Sequence, residues 1–239
     1  MDKLRKYLYI LIILIPTFFI LFFSNKLSNK SYFGTIITIY VVFILFISYL
    51  YFEKSKKGVH EIAIIATISS FAAISRVPFA SIPNVQPVTF IVSLAGLVFG
   101  VYDGFLIGAT TAFISNIFLG QGPWTPWQML SWGIVGAISG LIGKSHKQVN
   151  TKIFAFINFL FGFLFGAIMN LWHLMGYVKV ISIESILLTY SSSAYFDLLH
   201  GIGNVLFVLI FYKSFYKILF RFYRRTHYKK EEKSNEKNN

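Results

Sequence analysis

The chain has 239 residues, of which 56% are hydrophobic, 19% aromatic and only 13% charged, where a soluble domain carries about 25% charged residues. The net charge of +13 would suggest nucleic acid in a soluble protein, but here the positive residues stand at the ends of long apolar runs. Lipid headgroups and membrane topology account for them, and no nucleic-acid partner is expected. There is no cysteine, which excludes disulfides and thiolate metal sites.

In chain order, apolar runs cover 7–23, 33–52, 60–76, 88–102, 104–119, 127–143, 153–176 and 194–213. They predict eight membrane helices. The charged start and first run lack a small-residue cleavage site and read as a retained span rather than a signal peptide. The fourth and fifth runs are short for a bilayer of about 30 Å, which takes about 20 helical residues. They read as a partly spanning pair joined by "VYDG", a tight turn on Asp103 and Gly104. No run alternates with a period of two, so a barrel is disfavoured. The fold class is an all-α integral membrane protein.

A break falls at "EKSKKGVHE", residues 53–61. Before it, 1–57 form an accessory N-terminal transmembrane hairpin whose two apolar runs are made almost wholly of Ile, Leu, Phe, Tyr and Val. After it, 58–217 form a working unit of six helices that carry Asn, Gln, Trp, His and Asp. The segment 218–239 reads as a basic cytoplasmic tail, and its terminal "RRTHYKKEEKSNEKNN", residues 224–239, as solvated and disordered. With both termini placed in the cytoplasm, only Lys26, Lys30, Arg76 and Lys179 of the 22 basic residues fall outside, as the positive-inside rule requires of a multi-pass protein in the cell membrane.

In that orientation, polar and aromatic residues collect at the external ends of the working unit. The stretch "SRVPFASIPNVQP" brings Arg76, Asn84 and Gln86. Asn116 precedes "GQGPWTPWQM", which brings Gln121, Trp124, Trp127 and Gln128, with Trp132 one turn on. "MNLWHLMGY" adds Asn170, Trp172 and His173, and the last run opens with Asp197, His200 and Asn204, spaced to share one helical face. Flat rings plus a few placed polar groups suit an organic ligand, and proline-stiffened loops are less costly to order around one. Taken singly, each tryptophan reads as an interface anchor, Arg76 as a snorkelling residue, and each histidine as a hydrogen-bonded packing residue. The joint placement on one face favours a pocket.

Motifs of known chemistry are missing. "SGLIGKS" ends like a phosphate-binding loop, but Ile138 stands where that motif needs glycine. No cofactor and no resident metal is expected, and no enzyme motif is found. Asp197 with His200 leaves one enzymatic alternative, an intramembrane acid–base pair, and a stand-alone secondary carrier is the other alternative. In "EIAIIATISSFAAISR", Ala63, Ala66, Thr67 and Ser70 form a small-residue surface that allows close helix approach in lipid. That surface serves either packing within the chain or docking onto another membrane protein.

The small-residue helix, "IPNVQPVTFIVSLAGLVFG", "GFLIGATTAFISNIFLGQGPWTPWQM" and "WGIVGAISGLIG" together resemble the substrate-binding S-component of energy-coupling factor (ECF) transporters over about 58–217. The resemblance implies capture of a vitamin or its precursor from outside. It also implies delivery with a transmembrane coupling protein that carries two cytoplasmic ATPases. Docking would use the first core helix, where the family has an Ala-x-x-x-Ala pattern and this chain has Thr67 after Ala63 and Ser70 after Ala66. The Gly-Pro-Trp-Thr-Pro-Trp-Gln string is similar to S-components assigned to cobalamin or its precursors.

Overall fold

The computed structural model describes residues 32–54, 58–146 and 148–236, together with Ile12, and side chains as far as Arg225. Apart from Ile12, the first expected helix at 7–23 lies outside these residues. The described chain forms seven helices: α1 (Phe33–Glu53), α2 (Val59–Arg76), α3 (Val88–Phe99), α4 (Val101–Leu119), α5 (Thr125–Ser145), α6 (Thr151–Tyr177) and α7 (Ile183–Glu236). A short 3-10 turn, Val77–Phe79, follows α2. Among the described residues there is no strand, as expected where lipid leaves no water to satisfy backbone groups. Five of these helices (α1, α2 with its turn, α4, α6 and α7) are long and apolar enough to cross a membrane. The protein is an all-α, multi-pass membrane protein.

Local signals set the helix ends. The Glu61 carboxylate accepts from the Gly58 backbone N–H at 2.7 Å, one half of a capping box that fixes the start of α2. Pro126 sits in the first turn of α5, where its missing N–H costs nothing. The helix therefore begins at Thr125, two residues earlier than the apolar run, and the second half of "GQGPWTPWQM" is helical.

Three expectations are corrected. The break between α3 and α4 is at Gly100, with φ +101°, a left-handed conformation that only glycine adopts freely. Asp103 lies in the first turn of α4, where a carboxylate suits the helix N-terminus. Gly104 makes no turn: it crosses α5 at Gly136, and a Cβ on Gly136 would run into the Gly104 carbonyl. Finally, α7 begins at Ile183, not near 194, and continues to Glu236. Asp197, His200 and Asn204 thus lie in the interior of a long helix, about four to six turns from its start, and residues 224–236 are helical rather than disordered.

The main core joins α2 to α7 through Phe90, Leu94, Trp132, Phe154, Phe161 and Val208. A smaller cluster of Val41, Leu45, Ala109, Trp127 and Ile168 packs α1 against α4, α5 and α6. Hydrogen bonds strengthen that seam: Tyr49 Oη to Thr110 Oγ1 at 2.8 Å, and the Tyr102 hydroxyl to the Ser48 carbonyl. On α2 the small residues divide. Ser69, Ala72 and Ala73 are buried, whereas Ala63, Ala66 and Thr67 are exposed and Ser70 is half-buried.

Candidate functional site

The end of α2, the start of α3, the end of α4 and the start of α5 meet at one end of the bundle around Arg76. Its Nε donates to Gln86 Oε1 at 2.6 Å. Its Nη1 donates to Ser115 Oγ and to Asn116 Oδ1, both at 2.9 Å. The Asn116 amide is fixed from behind, because its Nδ2 donates to Thr125 Oγ1 at 3.0 Å and to Gln128 Oε1 at 2.7 Å. Thr125 donates on to Gln121 Oε1 at 2.9 Å. Gln86, Ser115, Asn116 and Thr125 are all buried, so the frame is rigid and leaves few unmet polar atoms.

Beneath the guanidinium lies Trp132, with Arg76 Cζ 5.0 Å from the ring centroid, a cation–π contact. Phe165 packs near the same indole, with centroids 4.7 Å apart, and Trp132 is fully buried. Its Nε1 donates to Thr89 Oγ1 at 3.0 Å, and Thr89 Oγ1 is 2.8 Å from His200 Nε2. The tautomer of His200 decides which of Thr89 Oγ1 and Nε2 donates in this contact. Nδ1 of His200 and Oδ1 of Asn204 are the two buried polar side-chain atoms without a partner among the described residues.

A second chain of bonds ties α6 to α7. Asn170 Nδ2 donates to Ser193 Oγ at 2.7 Å, and Ser193 Oγ donates to Asp197 Oδ2 at 2.9 Å. A Cβ on Gly166 would collide with the Asp197 carboxylate. Asp197 and His200 therefore serve different partners and are not bonded to one another. Asn84, at φ +54°, donates to the Phe196 carbonyl at 3.1 Å and latches the α2–α3 connection onto α7.

The aromatic candidates separate. Trp124 meets Trp172 edge-on at 6.3 Å, Trp172 meets Tyr177 at 5.2 Å, and His173 stacks on Tyr177 at 5.9 Å. This forms an aromatic rim, half-buried at Trp124 and Trp172 and exposed at His173 and Tyr177. Trp127 turns away from it: buried, its Nε1 donates to Thr38 Oγ1 of α1 at 3.1 Å. Sequence reasoning missed Ser115, Thr89, Thr125 and Ser193. Thr89 and Ser115 are single hydroxyls inside apolar helices, which carry no signal of their own beyond their cost in lipid, and Ser193 lies in a Ser-rich stretch that reads as a loop. Among the described residues, no group of three or more His, Cys, Asp or Glu could hold a metal ion.

Comparison with known proteins bears on this arrangement. The family model of the ECF-type riboflavin transporter S component matches residues 54–221. The chain is 28% identical over 92 residues to a UPF0397 protein of Vibrio atlanticus (strain LGP32), covering 36% of this chain and 50% of the relative. It is 25% identical over 132 residues to one of Aliivibrio salmonicida (strain LFI1238), covering 53% and 70%. It is 29% identical over 118 residues to one of Aliivibrio fischeri (strain MJ11), covering 44% and 64%. The chain thus spans from 50% to 70% of the length of these curated relatives. No solved structure matches it. With more than half of its length matched by that model, a bundle of apolar helices and a polar frame gathered at one end, the chain belongs to the family of ECF-type riboflavin transporter S components.

Proposed function

We propose that this chain is the membrane substrate-binding subunit of an ECF-type importer. It captures a small vitamin-like molecule at the Arg76 end of the bundle and delivers it with a separate transmembrane coupling protein and two cytoplasmic ATPases. The observation that carries the reading is the preorganised frame around Arg76 beside the half-buried Trp124–Trp172 rim. Such a pairing of fixed donors with adaptable ring surface suits a flat heterocycle. Charge bias supports an external position for this end, since Lys54, Lys144 and Lys152 lie at the opposite ends of their helices. The family's description names riboflavin, and a flavin is such a ring. The tryptophan string makes a cobalamin-related molecule the other candidate.

Docking falls to the exposed face of α2. Ala63 and Thr67 line an apolar groove of about 630 Å³ with Phe71, Ile91, Phe215 and Phe222, on the face of α2 turned away from the α4 packing of Ser69. Small residues at its floor let another helix approach closely.

Native mass spectrometry of the chain purified without ATP, from cells grown in rich medium, tests the reading. A one-to-one small-molecule adduct is expected, together with cellular uptake that is lost when the ATPases are deleted. Uptake that survives their deletion would indicate a stand-alone carrier. Transport retained in the Asp197→Asn, His200→Ala double variant would dispose of the intramembrane-enzyme alternative.

A further inference from the structure

We infer that the molecule captured at Arg76 carries an anionic group, a carboxylate or a phosphate, and that the Nη2 edge of Arg76 receives it. The inference rests on the substrate-binding reading above and adds the chemical class.

A guanidinium has five N–H donors and no acceptor. In Arg76, Nε and both Nη1 hydrogens are taken by Gln86, Ser115 and Asn116. Among the described residues, the two N–H groups of Nη2 have no protein acceptor, and Nη2 is not among the fully buried unpartnered atoms. All three acceptors are neutral. They orient the cation without cancelling its charge, and so does the Trp132 face beneath it. Asp197 accepts from Ser193 and makes no ion pair with Arg76.

Arg76 is half-buried at the end of the bundle, and a cation partly withdrawn from water and held by dipoles alone favours an anionic partner. Folding does not meet this charge from within the described chain. A ligand anion would, with a short charge-assisted bond of the kind arginine makes to carboxylate and phosphate. The fixed Asn116 amide adds direction: its Oδ1 is held toward Arg76 by two bonds on Nδ2, so the guanidinium plane cannot swing.

The test uses the purified full chain in detergent and matched neutral and anionic probes: riboflavin against riboflavin phosphate, nicotinamide against nicotinate, and pyridoxal against pyridoxal phosphate. In at least one pair the anion should bind about tenfold tighter or more. Arg76→Gln should bring that ratio close to one, and Arg76→Lys should keep part of it, with melting curves confirming that each variant folds. Wild-type ratios near one overturn the proposal without any variant. So does Arg76→Gln weakening both members of a pair equally. If no member of any pair, nor cobalamin, binds the wild type, the substrate-capture reading itself falls and this inference with it. If phosphatidylglycerol, and none of the small anions, binds in an Arg76-dependent way by native mass spectrometry, the edge is a lipid-headgroup site and the proposal is overturned.

Discussion

Arg76 stands over Trp132, its guanidinium carbon 5.0 Å from the ring centroid, and Trp132 in turn donates its indole N–H to Thr89. Through these contacts α2, α3, α5 and α7 are coupled at one point of the core, since Thr89 also meets His200. Trp132→Phe keeps a ring under the cation and removes the N–H, and it should cost about 0.5–1.5 kcal/mol. Trp132→Ala should cost about 3–5 kcal/mol, because a fully buried indole leaves a cavity. Thermal unfolding in detergent measures both.

The crossing of α4 and α5 depends on glycine. A Cβ at Gly136 meets the Gly104 carbonyl, whereas one at Gly176 meets nothing within 4 Å. Gly136→Ala is expected to lower stability by about 1–3 kcal/mol, while Gly176→Ala, in the last turn of α6, leaves it unchanged to within about 0.5 kcal/mol. The same melts, run side by side, check the contrast.

Trp127 joins α1 to the core by its bond to Thr38. Trp127→Phe and Thr38→Val each remove that bond, so their effects should not add. A double-mutant cycle is expected to show a coupling of about 0.5–1.5 kcal/mol. Strict additivity would mean that the contact contributes nothing to holding α1.

On α2, the exposed and buried small residues should respond oppositely. Ala66→Trp points outward, and it is expected to leave folding and ligand binding intact while blocking co-purification with the coupling protein. Ala73→Leu, at a fully buried position, is expected to lower the melting temperature. Pull-downs and melts on the two variants separate docking from packing.

Much of this arrangement was legible in the sequence because helix ends in a membrane protein are marked by composition. Arg76, Gln86, Asn116 and Gln128 each stand where an apolar run stops or starts, and they do converge. The start of α7 was not legible. The stretch from Ile183 to Tyr195 is rich in Ser, Thr and Tyr and reads as a loop, but several of its hydroxyls are satisfied within the helix, and that of Tyr190 by the Ala167 carbonyl of α6. Thr189 donates to the Ser185 carbonyl, and Ser191 and Ser192 to that of Leu188. Gly104 beside Asp103 has the look of a turn, and only the facing Gly136 reveals a packing role. Trp127 lies in the same string as Trp124, yet one turn of helix sends it to α1 and the other ring to Trp172. No spacing rule distinguishes those fates without the position of α1.

The central claim, that the isolated chain binds a small molecule at the Arg76 end, is tested most directly by isothermal titration of the purified protein, without ATP or partner proteins, against riboflavin, riboflavin phosphate and cobalamin. The account predicts saturable binding of at least one of them at one site per chain, weakened about tenfold or more by Arg76→Gln if the ligand is the anionic one. Absence of heat from all three with a folded protein, or binding unaffected by Arg76→Gln, Trp124→Ala and Gln128→Ala together, would contradict it.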